Sequence, residues 1–186
     1  VSELHPSSPN YASVYDKYNL FGQRKTIMAH CIYNTEEEIE LMAKNQVFAA
    51  HCVHSNFNLS SGIMPVRKFL ERGVPVGLGS DISGGQVMAG SIQASKMKWI
   101  ETDGELKPLT CEEAFYLGTK GGGSFFGKVG SCEEGYEMDC LIIDDSNLRK
   151  DRDLTIEERI EKFIYIGDER NIVDRFVNGK LVEEPK

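Results

Sequence analysis

The chain has 186 residues, 40% hydrophobic and 27% charged, with a formal net charge of -8. That apolar content fills a core and excludes a disordered chain, and an acidic balance without a Lys/Arg cluster excludes a phosphate-binding nucleic-acid surface. No apolar run reaches the roughly 20 residues of a membrane span, and five cysteines without a CxxC pair argue against a disulfide framework or paired-cysteine zinc site and fit a reducing, cytoplasmic setting.

Val1 rather than Met opens the chain, and "VSELHPSSPN" lacks the basic and apolar plan of a signal peptide, so a piece of something longer is expected. "KTIMAH" (25–30) reads as a strand. "TEEEIELMAKNQ" (35–46) reads as a helix with Asn34 or Thr35 as N-cap, its "EEEIE" start a solvated run that complements the dipole. "VFAAHC" (47–52) is the next strand, continuing as "HCVHSN" (51–56) if it runs that far. "GIMPVRKFLERG" (62–73) is a helix ended by Gly73, "VPVGLGSD" (74–81) a third strand and "QVMAGSIQASKMKWI" (86–100) a third helix. Strands spaced by helices in this way indicate βα units and a parallel sheet, either a barrel or doubly wound.

The last third differs. After a helix over 110–120 with Thr110 as N-cap, strands are expected in 128–144 and in 172–182, where Asn178-Gly179 between apolar alternations signals a hairpin. "TIEERIEKFIYIG" (155–167) reads as a helix near 155–163 running into an extended segment. The expected division is an α/β part over 1–127 and a C-terminal segment over 128–186 that contributes strands to a small β subdomain. "GTKGGGSFFG" (118–127) lacks the Gly-Lys-Ser/Thr order of a P-loop and reads as close packing. Trp99, Phe115 and Cys31 read as packing groups, and His5 as a solvated loop residue.

Three of the strands end on residues able to bind a metal or move a proton: His30, His51 and Asp81. Strand ends of a parallel barrel converge on one face, which is where such folds do chemistry. Asp81, among glycines and Ser80, suits a divalent cation as a hard oxygen ligand and equally suits a helix cap. In "HCVHSN" strand alternation puts His51 on the face opposite Cys52 and His54, so the three cannot converge on one ion.

"TIMAHCIY", "AAHCVHSNFNLSSG" and "VGLGSDISGG", in this order, resemble strands six, seven and eight of the amidohydrolase superfamily. "SVYDKYNL", "SNFNLSSG" and "KFIYIGDERNI" narrow the resemblance to its guanine-deaminating branch. The resemblance implies the C-terminal half of a (β/α)8 barrel, from the end of strand five to strand eight, plus strands of a small β-sandwich. It also implies hydrolysis of guanine to xanthine and ammonia with one zinc ion or another first-row divalent metal, in a homodimer when the chain is complete. Asp81 would be a metal ligand and take the proton of the attacking water, and His30 would orient that water. Glu3 would protonate the purine ring and pass protons to the leaving amine, with Glu3 and Asp81 both contacting substrate. No His-x-His pair occurs, and the His of the family's His-x-x-Glu would fall before Val1. The missing N-terminal half of the barrel is therefore an expected partner, and the chain alone is expected neither to bind zinc tightly nor to turn over guanine. A related amidohydrolase acting on another purine, a pyrimidine or a triazine is the alternative enzyme. A non-catalytic subunit that completes a split barrel is the alternative of another class.

Overall fold

The alternation between residues 25 and 100 folds into a parallel sheet in a computed structural model, which describes residues 1, 3–82, 86–148 and 151–183. Its strands are β1 (Ile27–Ala29), β2 (Phe48–His51) and β3 (Val76–Leu78), in that spatial order. Ala29 pairs with Ala50 and His51 with Leu78, so the carboxyl ends of all three strands share one edge. Central β2 buries Phe48, Ala49 and His51, as a strand covered on both faces does.

The crossovers carry α2 (Glu36–Lys44), α3 (Val53–Asn58) and α4 (Val66–Glu71). Ile39 and Met42 on α2, and Val66 and Phe69 on α4, recur at i, i+3 and are buried. Each such side chain contributes about 1.5–3 kcal/mol by leaving water. The third helix expected from the sequence, over 86–100, is α5 (Val87–Glu101), which follows β3 and lies against α3. Gly90 makes that approach possible, since a Cβ there would stand 2.8 Å from the His54 ring.

Thr35 caps α2 through a capping box with Glu38. The acidic start of α2 is not all solvated, which corrects the sequence expectation. Glu38 is buried because its carboxylate accepts from Thr35 N at 2.8 Å and from Ala12 N at 2.9 Å, tying α2 to the unforeseen helix α1 (Tyr11–Asp16). The helix expected over 62–73 starts only at Val66, because Pro65 lacks an N–H and keeps Met64 out of the helical region. "HCVHSN" is also corrected, since the strand ends at His51 and helix α3 begins at Val53.

The chain divides into two compact units, Val1–Leu109 and Thr110–Lys186. The expected division at 127/128 therefore falls inside the second unit. Its first helix, α6 (Cys111–Tyr116), runs into a π-helical turn (Leu117–Gly121) that packs on the segment after it. A Cβ at Gly130 would meet the Thr119 carbonyl at 2.4 Å, and one at Gly123 the Val129 carbonyl at 2.3 Å. Close packing is thus what Gly123 provides within 118–127, whereas a Cβ at Gly127 would meet nothing.

In the second unit β4 (Cys140–Ile143), β5 (Ile172–Val177) and β6 (Lys180–Leu181) form an antiparallel sheet, with the Asn178-Gly179 hairpin in left-handed backbone. Of the strand expected over 128–144 only Cys140–Ile143 forms, because Gly130 and Gly135 turn the chain through positive φ. Helix α7 (Ile156–Ile166) starts at the Thr155 capping box and continues three residues past the expected end. Trp99 and Phe115 are 45% and 40% exposed, so each is only partly covered. Among the described residues no helix is long and apolar enough to cross a membrane.

Candidate functional site

The shared edge of the parallel sheet gathers polar residues of the first unit. His30 follows β1 directly and Asp81 lies three residues beyond β3. The His30 amide donates to the Ala50 carbonyl at 3.0 Å, carrying the β1–β2 pairing one residue past the strand. His30, Cys31 and Asp81 all have left-handed backbone, at φ 69°, 47° and 51°. Non-glycine residues seldom hold this conformation, and it turns both segments sharply at the sheet's edge.

Those turns bring His30 and Asp81 together. His30 Nε2 stands 3.6 Å from Asp81 Oδ2, with the two side chains 42% and 39% exposed. Cys52, buried between β2 and α3, adds its Sγ, and the three donor atoms all lie within 4.8 Å of one another. Two ligands of one tetrahedral ion with bonds of about 2.0–2.2 Å stand roughly 3.4 Å apart. The imidazole–carboxylate pair therefore has the spacing and chemistry of one side of a site for a divalent ion.

Cys52 is the weakest donor of the three. Burial pushes its thiol up, the His30 backbone bond draws it down and the Asp81 carboxylate raises it again, so the thiol stays protonated. Cys31, which was expected in the core, is buried, donates to the Met28 carbonyl and is pushed up to about 12, chiefly by burial.

The other expected residues are distributed differently. Glu3 sits exposed in the first turn, outside the His30–Cys52–Asp81 cluster. His51 is 1% exposed, has no partner on either ring nitrogen among the described residues and is pushed down to about 4 by burial. His54 lies on α3 against Gly90. His5 is half-buried, its amide bonded to the Val1 carbonyl. Ser83, Gly84 and Gly85 of "DISGG" lie outside the described residues.

Sequence reasoning missed Asn56. Its side chain is 2% exposed, and its Oδ1 lies 2.8 Å from His30 Nδ1. The signal was present in "HCVHSN", but a strand reading points Asn56 nowhere in particular, whereas α3 carries it back to the end of β1.

The model of the amidohydrolase family matches residues 2–182. The guanine deaminase of Dictyostelium discoideum is 40% identical over 196 residues, which cover 98% of this chain and 43% of that protein. The guanine deaminase of Mus musculus is 38% identical over 199 residues, again 98% of this chain and 43% of that protein. Among solved structures, guanine deaminase from C. acetobutylicum, with guanine bound in its active site, superposes with a TM-score of 0.93 at 53% identity, covering 98% of this chain and 45% of that one. The chain thus spans less than half the length of the curated relatives it matches.

Proposed function

The chain belongs to the amidohydrolase family, and we propose that it is the C-terminal portion of a guanine deaminase, a half-barrel with strands of a small β-sandwich that acts when joined to the remainder of the barrel. The observation that carries the proposal is the His30–Asp81 pair, 3.6 Å apart at the ends of two parallel strands. The guanine held by the 53%-identical neighbour supports the choice of substrate, and coverage of less than half of each relative supports the reading as a portion.

Asp81 would hold the metal by its carboxylate, with the remaining ligands supplied from outside this chain. When bound, a zinc ion makes a water acidic enough to form hydroxide near neutral pH. The proposed steps belong to three side chains. Asp81 takes the proton of the attacking water, and His30 Nε2, facing Asp81, orients that water by a hydrogen bond. Glu3 protonates the purine ring nitrogen as water adds at the carbon bearing the amine, then takes the proton of the added hydroxyl and passes it to the amine as the carbonyl forms and ammonia leaves, giving xanthine, and the water proton held by Asp81 restores Glu3. Glu3 lies in the turn that opens the chain, and its approach to the pair belongs to the joined protein.

The five cysteines are all free, which supports a reducing compartment and a cytoplasmic enzyme. The test is an assay of guanine-dependent xanthine and ammonia formation by a polypeptide that joins this chain to the remainder of the barrel. Turnover that is lost in Asp81→Ala is the expected result. Turnover of another purine, a pyrimidine or a triazine in place of guanine would move the function to a related amidohydrolase. Tight stoichiometric zinc and guanine turnover by the 186-residue chain alone would overturn the half-barrel reading.

A further inference from the structure

We infer that Asn56 is a positioning residue that sets which ring nitrogen of His30 carries the proton. The inference rests on the proposal that His30 orients the attacking water, but the ring contact itself does not.

The geometry is specific. Asn56 Oδ1 stands 2.8 Å from His30 Nδ1, at hydrogen-bond distance across 26 residues of sequence. A carbonyl oxygen only accepts, so the neutral ring beside it carries its proton on Nδ1 and leaves the lone pair on Nε2. Nε2 is the nitrogen that faces Asp81. His30 therefore presents an acceptor, not a donor, toward the place where the water would be oriented.

Three features keep this contact in place. Asn56 is 2% exposed, so its amide cannot swing into solvent. Its backbone N–H donates to the Cys52 carbonyl at 3.0 Å, fixing the residue within the first turn of α3. At the other end, the His30 amide is held by the Ala50 carbonyl, so β2 and the helix that follows it grip the imidazole from two points. Asn56 Nδ2, Ser55 Oγ and His54 Nε2 are all buried on that turn without a partner among the described residues. That is the setting in which proteins hold an internal water, which would satisfy Nδ2 without turning the amide around.

Long-range proton–nitrogen correlation of the neutral His30 ring tests this in the 186-residue chain. The expected spectrum has a protonated Nδ1 and an unprotonated Nε2. Asn56→Asp, which keeps an acceptor oxygen, retains that pattern, and Asn56→Leu, which removes it, shifts the proton to Nε2. A wild-type ring protonated on Nε2 overturns the inference, as does an Asn56→Leu ring that keeps Nδ1–H. Should the Leu variant not fold, the wild-type and Asp spectra still decide. In the joined enzyme Asn56→Leu is expected to lower kcat about 10- to 100-fold with KM unchanged, and Asn56→Asp to restore it. Full activity in Asn56→Leu overturns the catalytic consequence. Full activity in His30→Ala instead removes the reading of His30 on which that consequence rests.

Discussion

The two units treat apolar side chains in opposite ways. The first encloses a three-stranded sheet and has its own core, with Ile39, Met42, Met64 and Phe69 fully removed from solvent. The second leaves Leu141, Ile142, Val173, Val177 and Leu181 of its sheet half in water. Local signals are equally good in both, since Thr35 and Thr155 make the same capping box. The difference is therefore one of cover, not of secondary structure. Patches of exposed apolar strand mark surfaces that pair with something else, and in the proposed enzyme the remainder of the chain would provide that cover.

The comparison can be broken by unequal losses. Phe69→Ala should destabilise the first unit by about 3–5 kcal/mol, read as a lower urea midpoint, because a large buried ring leaves a cavity. Acid should act next, through His51. Burial holds its folded pKa at about 4, below the ordinary value of about 6.5, so its contribution is complete above about 6.5 and is lost as pH falls toward 4. The loss amounts to about 3 kcal/mol, and His51→Leu should flatten the dependence of the urea midpoint on pH between those limits.

Smaller effects should sharpen it. Thr35→Ala and Thr155→Ala should each cost about 1 kcal/mol, one in each unit and nearly equal, measured by denaturation. Unequal values would mean that the units differ in local structure as well as in cover. Val173→Ala, at a site 57% exposed, should change stability by less than about 0.5 kcal/mol. A loss matching that of Phe69→Ala would show that this sheet is covered after all.

Much of the fold was legible because its determinants are local. Thr35, Thr110 and Thr155 each precede a Glu by three residues, and the Asn178-Gly179 turn lies between apolar alternations. "HCVHSN" was not legible as a helix, since six residues do not distinguish a period of 2 from one of 3.6 and His51 does belong to a strand. Glu38 misled for a related reason. A capping carboxylate and a solvated one look alike in sequence, and only the arrival of Ala12 buries it. For the site, His30 and Asp81 could be found as polar endings of apolar strands. Asn56 could not, because its role depends on a contact between segments that only the fold brings together.

The left-handed backbone at His30 and Asp81 sets stability against chemistry at the same positions. Glycine adopts such angles without the steric cost that a Cβ brings. A library screened only for resistance to heat would therefore enrich glycine at residues 30 and 81, and its best survivors would be the variants that had discarded the imidazole and the carboxylate.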